Sequence, residues 1–85
     1  MPETILVIDD DYNQSKIVRL SLKVAGYTVL SATNGAGGLR MLRQHQPDLV
    51  LLDVRRPEMS GWELCERIRS LSTVPIIFLA WEVQT

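Results

Sequence analysis

Four short apolar runs punctuate the chain: Thr4 to Ile8, Tyr27 to Leu30, Leu49 to Leu52 and Pro75 to Leu79. Each has strand length and consists largely of Ile, Val and Leu with little polar alternation. That is the pattern of strands covered on both faces, which belong to parallel sheets flanked by helices. The stretches between them carry helical spacing instead. From about Tyr12 to Ala25, Ile17, Leu20 and Val24 share one face with Val18 and Leu22 beside them, and Gly26 supplies a stop. A second helix is expected from Asn34, with Ala36, Leu39 and Leu42 toward the sheet. Gly35, Gly37 and Gly38 each cost about 1 kcal/mol against Ala in a helix interior, so its first turn is expected to be loose. The third helix runs from about Gly61 to Leu71, with Leu64, Cys65, Ile68 and Leu71 on one stripe and Glu63, Glu66, Arg67 and Arg69 mostly toward water. Strand, helix, strand repeated in this way argues for a parallel α/β sheet with right-handed crossovers, and leaves the strand order open.

Composition narrows the classes. The 85 residues, 46% apolar and 22% charged, suit one small domain and exclude a second catalytic one. A domain of this length buries only somewhat more than ~60% of its unfolded surface, so its core is marginal. The net charge of -1, with nine scattered Lys and Arg, gives no basic surface for nucleic acid. No apolar run approaches the ~20 residues that cross a bilayer. Cys65 has no second cysteine to pair with, and Met1-Pro2-Glu3-Thr4 leads into the first strand without the marks of a signal peptide, so a mature start in the reducing cytoplasm is expected.

In open α/β sheets, ligands bind beyond the carboxyl ends of the strands. After the first strand stand Asp9, Asp10 and Asp11, and after the third stands Asp53; Ser31 and Ala80 follow the second and fourth. Carboxylates converging on one sheet end repel one another unless a cation intervenes, and such hard oxygen ligands suit Mg²⁺. Asp53 is also placed to act as a nucleophile toward a phosphoryl group, with a metal screening both charges. That reading requires the first and third strands to be neighbours. Plainer roles exist for the same residues: Asp10 or Asp11 makes a good N-cap, and Asp53 a turn residue ahead of Pro57. The run Asn34-Gly35-Ala36-Gly37-Gly38 lacks the spacing of a phosphate loop and reads as a permissive helix entry. His45 falls at a helix end and reads as a surface residue, Cys65 as packing, and Trp62 as packing beside the third helix.

Taken together, these residues resemble the receiver domains of bacterial two-component response regulators. Ile5-Leu6-Val7-Ile8-Asp9-Asp10-Asp11 is similar to that family's first strand and acidic pair, and Pro47-Asp48-Leu49-Val50-Leu51-Leu52-Asp53 to the strand ending in its phosphorylated aspartate. Val54-Arg55-Arg56-Pro57-Glu58-Met59-Ser60-Gly61 has the family's proline and glycine at matching offsets, and Pro75-Ile76-Ile77-Phe78-Leu79 is similar to its fourth strand. The resemblance implies a flavodoxin-like parallel sheet with helices on both faces. In residues 1–85 it is incomplete, with four strands in the order 2-1-3-4 and three helices, a receiver truncated after the fourth strand. It implies that Asp53 is the phosphoacceptor and that Asp9, Asp10, Asp53 and the backbone carbonyl of Arg55 hold Mg²⁺. The implied donor is a sensor histidine kinase or phosphotransfer protein, so the chain would be a signalling phosphoprotein rather than an enzyme.

Three positions depart from the family pattern. Ala80 stands where the family has a Thr or Ser hydroxyl, Trp81 where it has a small residue, and the fifth strand with its lysine lies beyond Thr85. A second expectation follows: a degenerate receiver acting as a binding or dimerisation module, pairing or aggregating through the apolar edge of the fourth strand. A third reading, a phosphohydrolase of the haloacid dehalogenase type, rests on the Asp9-x-Asp11 spacing after an apolar strand. It is weakened by Asn13 and by the short chain.

Overall fold

The computed structural model describes residues 3–53 and 60–79. In chain order the elements are β1 (Thr4–Ile8), α1 (Lys16–Val24), β2 (Thr28–Ala32), α2 (Gly35–His45), β3 (Leu49–Asp53), α3 (Gly61–Arg69) and β4 (Ile76–Leu79). The strands form one parallel sheet in the order β2-β1-β3-β4. This is the expected α/β architecture, and it makes β1 and β3 neighbours. Ile8 lies level with Ala32 of β2 and with Leu52 of β3, so the residue after β1 falls level with the last residue of β3.

Alternation along the strands divides the core between two layers. On one face Leu6, Ile8, Ala32, Val50 and Leu52 pack against Leu42 of α2 and Leu64 and Ile68 of α3. On the other Ile5, Val7 and Leu51 meet Val18 and Leu22 of α1. The central strands are thus covered on both sides, which is why Ile5 to Ile8 and Leu49 to Leu52 carry no polar residue.

The phase of α1 differs from the sequence expectation. Ile17 and Val24 are 77% and 89% exposed and Leu20 is also exposed, while Val18, Leu22 and the polar Ser15 and Arg19 face inward. Five apolar positions permit two opposite stripes, and the turn before the helix selects the narrower one. That turn spans 12–15, and the helix starts at Lys16 rather than near Tyr12. Its backbone amides at Ser15 and Lys16 donate to the carbonyls of Asp11 and Asn13.

The start of α2 is ordered by a cap. Asn34 is extended and its side chain accepts from the Gly37 amide at 2.6 Å. Ala36 is exposed, against expectation, because Gly35 and Gly38 occupy the inward positions of the first turns together with Leu42. Gly38 is required by close approach: a Cβ there would lie 2.6 Å from Ile8 Cδ1. Leu71 lies past the end of α3 and is exposed, so the buried stripe of that helix is Leu64 and Ile68 with Cys65 packed at its margin. Ser60 caps α3 by accepting from the Glu63 amide at 3.1 Å. Trp62 is largely exposed, with its ring 4.5 Å from that of Phe78 on β4, and His45 is exposed in the last turn of α2.

Candidate functional site

The parallel register brings the acids to one place. Asp9 directly follows β1, and Asp53 ends β3 opposite Leu79 of β4. Both are buried, at 2% and 1% exposure, whereas Asp10 is exposed. One carboxylate oxygen from each of Asp9, Asp10 and Asp53 lies within 4.8 Å of the others. Asp10, Asp11, Gln14 and Asp53 line an open hollow of about 330 Å³ at this end of the sheet.

Local hydrogen bonds fix the loop that carries the acids. The Asp9 amide donates to Ala32 O at 3.0 Å, tying the strand exit to β2. Asp9 Oδ1 accepts from the Asp11 amide at 2.9 Å, and Asp11 Oδ1 accepts from the Gln14 amide at 3.0 Å. Asp11 therefore caps the turn that leads into α1 and lines the hollow beside the three-carboxylate cluster, to which Asp10 belongs. The N-cap of α1 is Ser15, not Asp10 or Asp11 as expected, because the helix starts at Lys16; Asp11 caps only the turn before it.

Two buried carboxylates this close are costly as anions unless charge-compensating partners are available. Three hard oxygen donors, two of them held by buried strand ends, form a set that suits Mg²⁺. Two further hollows lack such a cluster. One is lined by Tyr12, Ser31, Thr33, Asn34 and Arg40 beside α2, and the other by Leu42, Arg43, Gln46 and Leu71 at the opposite end of the sheet. Arg55, whose carbonyl was expected at the metal, lies outside the described residues, as do Ala80, Trp81 and Pro57. Sequence reasoning overlooked Arg19, which is buried on α1 against the acidic loop. Its position at i+4 from Ser15 was the available signal.

A family profile described as the response regulator receiver domain matches residues 5–85. Among curated proteins, the chain is 43% identical over 79 residues to the transcriptional regulatory protein AfsQ1 of Streptomyces coelicolor, covering 93% of this chain and 35% of that protein. It is 42% identical over 76 residues to the transcriptional regulatory protein KdpE of Mycobacterium tuberculosis, covering 89% of this chain and 34% of that one. The chain thus spans about a third of the length of these relatives. Among solved structures, the chemotaxis protein CheY4 of Vibrio cholerae superposes with a TM-score of 0.90 at 29% identity, covering 99% of this chain and 72% of that one. A chain from the complex of histidine kinase ThkA with response regulator protein TrrA superposes with a TM-score of 0.85 at 32% identity, covering 96% of this chain and 72% of that one.

Proposed function

This chain belongs to the response regulator receiver domain family, and on that premise we propose that it accepts a phosphoryl group on Asp53 from a histidine kinase or phosphotransfer protein. The observation that carries the reading is the meeting of Asp9, Asp10 and Asp53 within 4.8 Å at the carboxyl end of the sheet. In this reading an Asp53 oxygen attacks the phosphorus of a phosphoimidazole. An oxygen–phosphorus bond forms, the nitrogen–phosphorus bond breaks, and the leaving imidazole recovers a proton. Asp9, Asp10, Asp53 and the carbonyl of Arg55 would hold Mg²⁺, which when bound screens the negative charges that the nucleophile and the phosphoryl group bring together. Asp53 lines the open hollow through which a donor would approach, and the loop bonds of Asp9 and Asp11 hold the neighbouring acids in place before it arrives.

Support for a histidine kinase donor comes from the likeness to a chain of a kinase–regulator complex. The role assigned is that of a signalling phosphoacceptor in the cytoplasm, not of an enzyme with turnover. Among the described residues, no helix is long and apolar enough to cross a membrane. Intact-mass spectrometry on folded chain incubated with acetyl phosphate and Mg²⁺ tests the reading. A phosphoryl adduct on the wild type that is lost in Asp53→Asn is expected. An adduct that persists in Asp53→Asn and maps to Asp9 would favour the phosphohydrolase arrangement instead.

A second reading is favoured by β4, which among the described residues pairs only with β3 and leaves Ile77 exposed at its edge. Here the chain is a binding module that self-associates through that edge. Light scattering on the chain at rising concentration tests it: a growing mass supports the reading, and a constant monomer mass refutes it.

A further inference from the structure

Arg19 is a charged side chain only 6% exposed on the sheet-facing side of α1, and the phosphoacceptor reading gives it no task. Its Nη1 donates to the Tyr12 carbonyl at 2.7 Å and to the Ser15 hydroxyl, and its guanidinium carbon sits 3.6 Å from the centre of the Tyr12 ring. The Ser15 hydroxyl, itself buried, donates to the same Tyr12 carbonyl at 3.2 Å. One cation therefore gathers the Tyr12 carbonyl, its ring and the N-cap hydroxyl of Ser15 in the segment that follows the three acids. Upstream, the Asp9–Asp11 and Asp11–Gln14 bonds continue the chain of contacts into the cluster.

We propose that Arg19 is a positioning residue for the acidic pocket: by clamping Tyr12 and Ser15 it fixes the loop 9–15 so that Asp10 stands beside Asp9 and Asp53 in the geometry that takes up Mg²⁺. Asp10 is the member of the cluster that needs such help. Asp53 ends a strand paired on both sides and the Asp9 amide is bonded to β2, whereas Asp10 is exposed on the loop itself. A planar guanidinium suits this duty because a single group offers diverging donors and a flat face for the ring, which an ammonium does not. Residues that orient metal ligands without touching the metal typically change affinity by about 10- to 100-fold when removed.

The inference rests on the reading that Asp9, Asp10 and Asp53 hold the ion, and its test separates the two. Mg²⁺ is titrated calorimetrically into wild type, Arg19→Met, Arg19→Lys and Tyr12→Ala, all as the full 85-residue chain, with amide hydrogen exchange followed in metal-free buffer. The expected result is wild-type binding, about tenfold weaker binding in Arg19→Met, and smaller losses in Arg19→Lys and Tyr12→Ala. Faster metal-free exchange at Gln14 and Ser15 in Arg19→Met is expected with it. At saturating Mg²⁺ the adduct rate with acetyl phosphate should return to the wild-type value, a recovery that general damage to the fold would not give. Tyr12 is 56% exposed, so its variant is expected to fold even where the loss of Arg19 does not permit it. Wild type that binds Mg²⁺ beside folded variants that bind it equally well overturns the role of Arg19 alone. Wild type that takes up no Mg²⁺ overturns the metal reading and this inference with it.

Discussion

Gly38→Ala puts the packing of α2 on β1 to a direct test. Exchanging Gly for Ala inside a helix gains about 1 kcal/mol of propensity, so a free surface position would be stabilised. Here the new Cβ meets Ile8 Cδ1 at 2.6 Å, Cγ1 at 3.1 Å and Cγ2 at 3.4 Å. Rotating the terminal methyl relieves only the first of these contacts, and Ile8 is fully buried with no space to retreat into. Overpacking of this kind costs about 1–3 kcal/mol, which after the propensity gain leaves a net loss of about 0–2 kcal/mol with the two nearer branch atoms pinned. Ile8→Val removes the atom in closest conflict and by itself costs about 1 kcal/mol. The double variant should therefore lose about 1–2 kcal/mol less than the sum of the two singles. Urea unfolding followed by circular dichroism, with the m-value checked for constancy, measures the cycle. Additivity of the two substitutions to within about 0.5 kcal/mol would refute the contact argument.

Asn34→Ala removes the acceptor of the Gly37 amide and should cost about 1 kcal/mol in the same urea assay. Gly26→Ala, at φ 101° with open space around the site, should cost about 1 kcal/mol through backbone strain alone, and Gly26→Asn less, read as shifts in the urea midpoint. Thermal unfolding with Mg²⁺ at about 100 times its Kd should raise the midpoint by about 10 °C or more, and Asp53→Asn should abolish most of that rise.

Much of the fold is legible along the chain because its signals are local. Unbroken Ile, Val and Leu runs mark the strands, and β1 has the bounds expected for it. Asn34 followed by a helix, and Ser60 followed by Gly61, are cap signals readable from neighbours in sequence. The order of strands is not legible in this way, because pairing β1 with β3 is a long-range event on which the apolar pattern is silent; family resemblance supplied it. The phase of α1 was misread for a related reason. Ile17, Leu20 and Val24 make as good a helical stripe as Val18 and Leu22, and only the closed turn after Asp9 decides between them. Gly38 read as a concession to helix entry, whereas its reason is the side chain of Ile8, thirty residues earlier in the chain. Arg19 escaped notice because a lone arginine in an amphipathic helix is ordinarily solvated.

The same parallel register that builds the core also creates the problem that the site must solve. Strands covered on both faces carry their first polar residues where they leave the sheet, so Asp9 and Asp53 arrive level, adjacent and buried together. Burial raises the cost of each charge and proximity raises it again, and a domain this small has little stability to spare. Local donors offset part of that cost: the Asp11 amide is given to Asp9, and Asp11 in turn holds Gln14. Those bonds organise the loop that places Asp10 beside the two buried acids. With Asp53 as the proposed phosphoacceptor, a bound Mg²⁺ would screen these charges and stability is expected to rise with added metal, both expectations tracing to two aspartates at the ends of neighbouring strands.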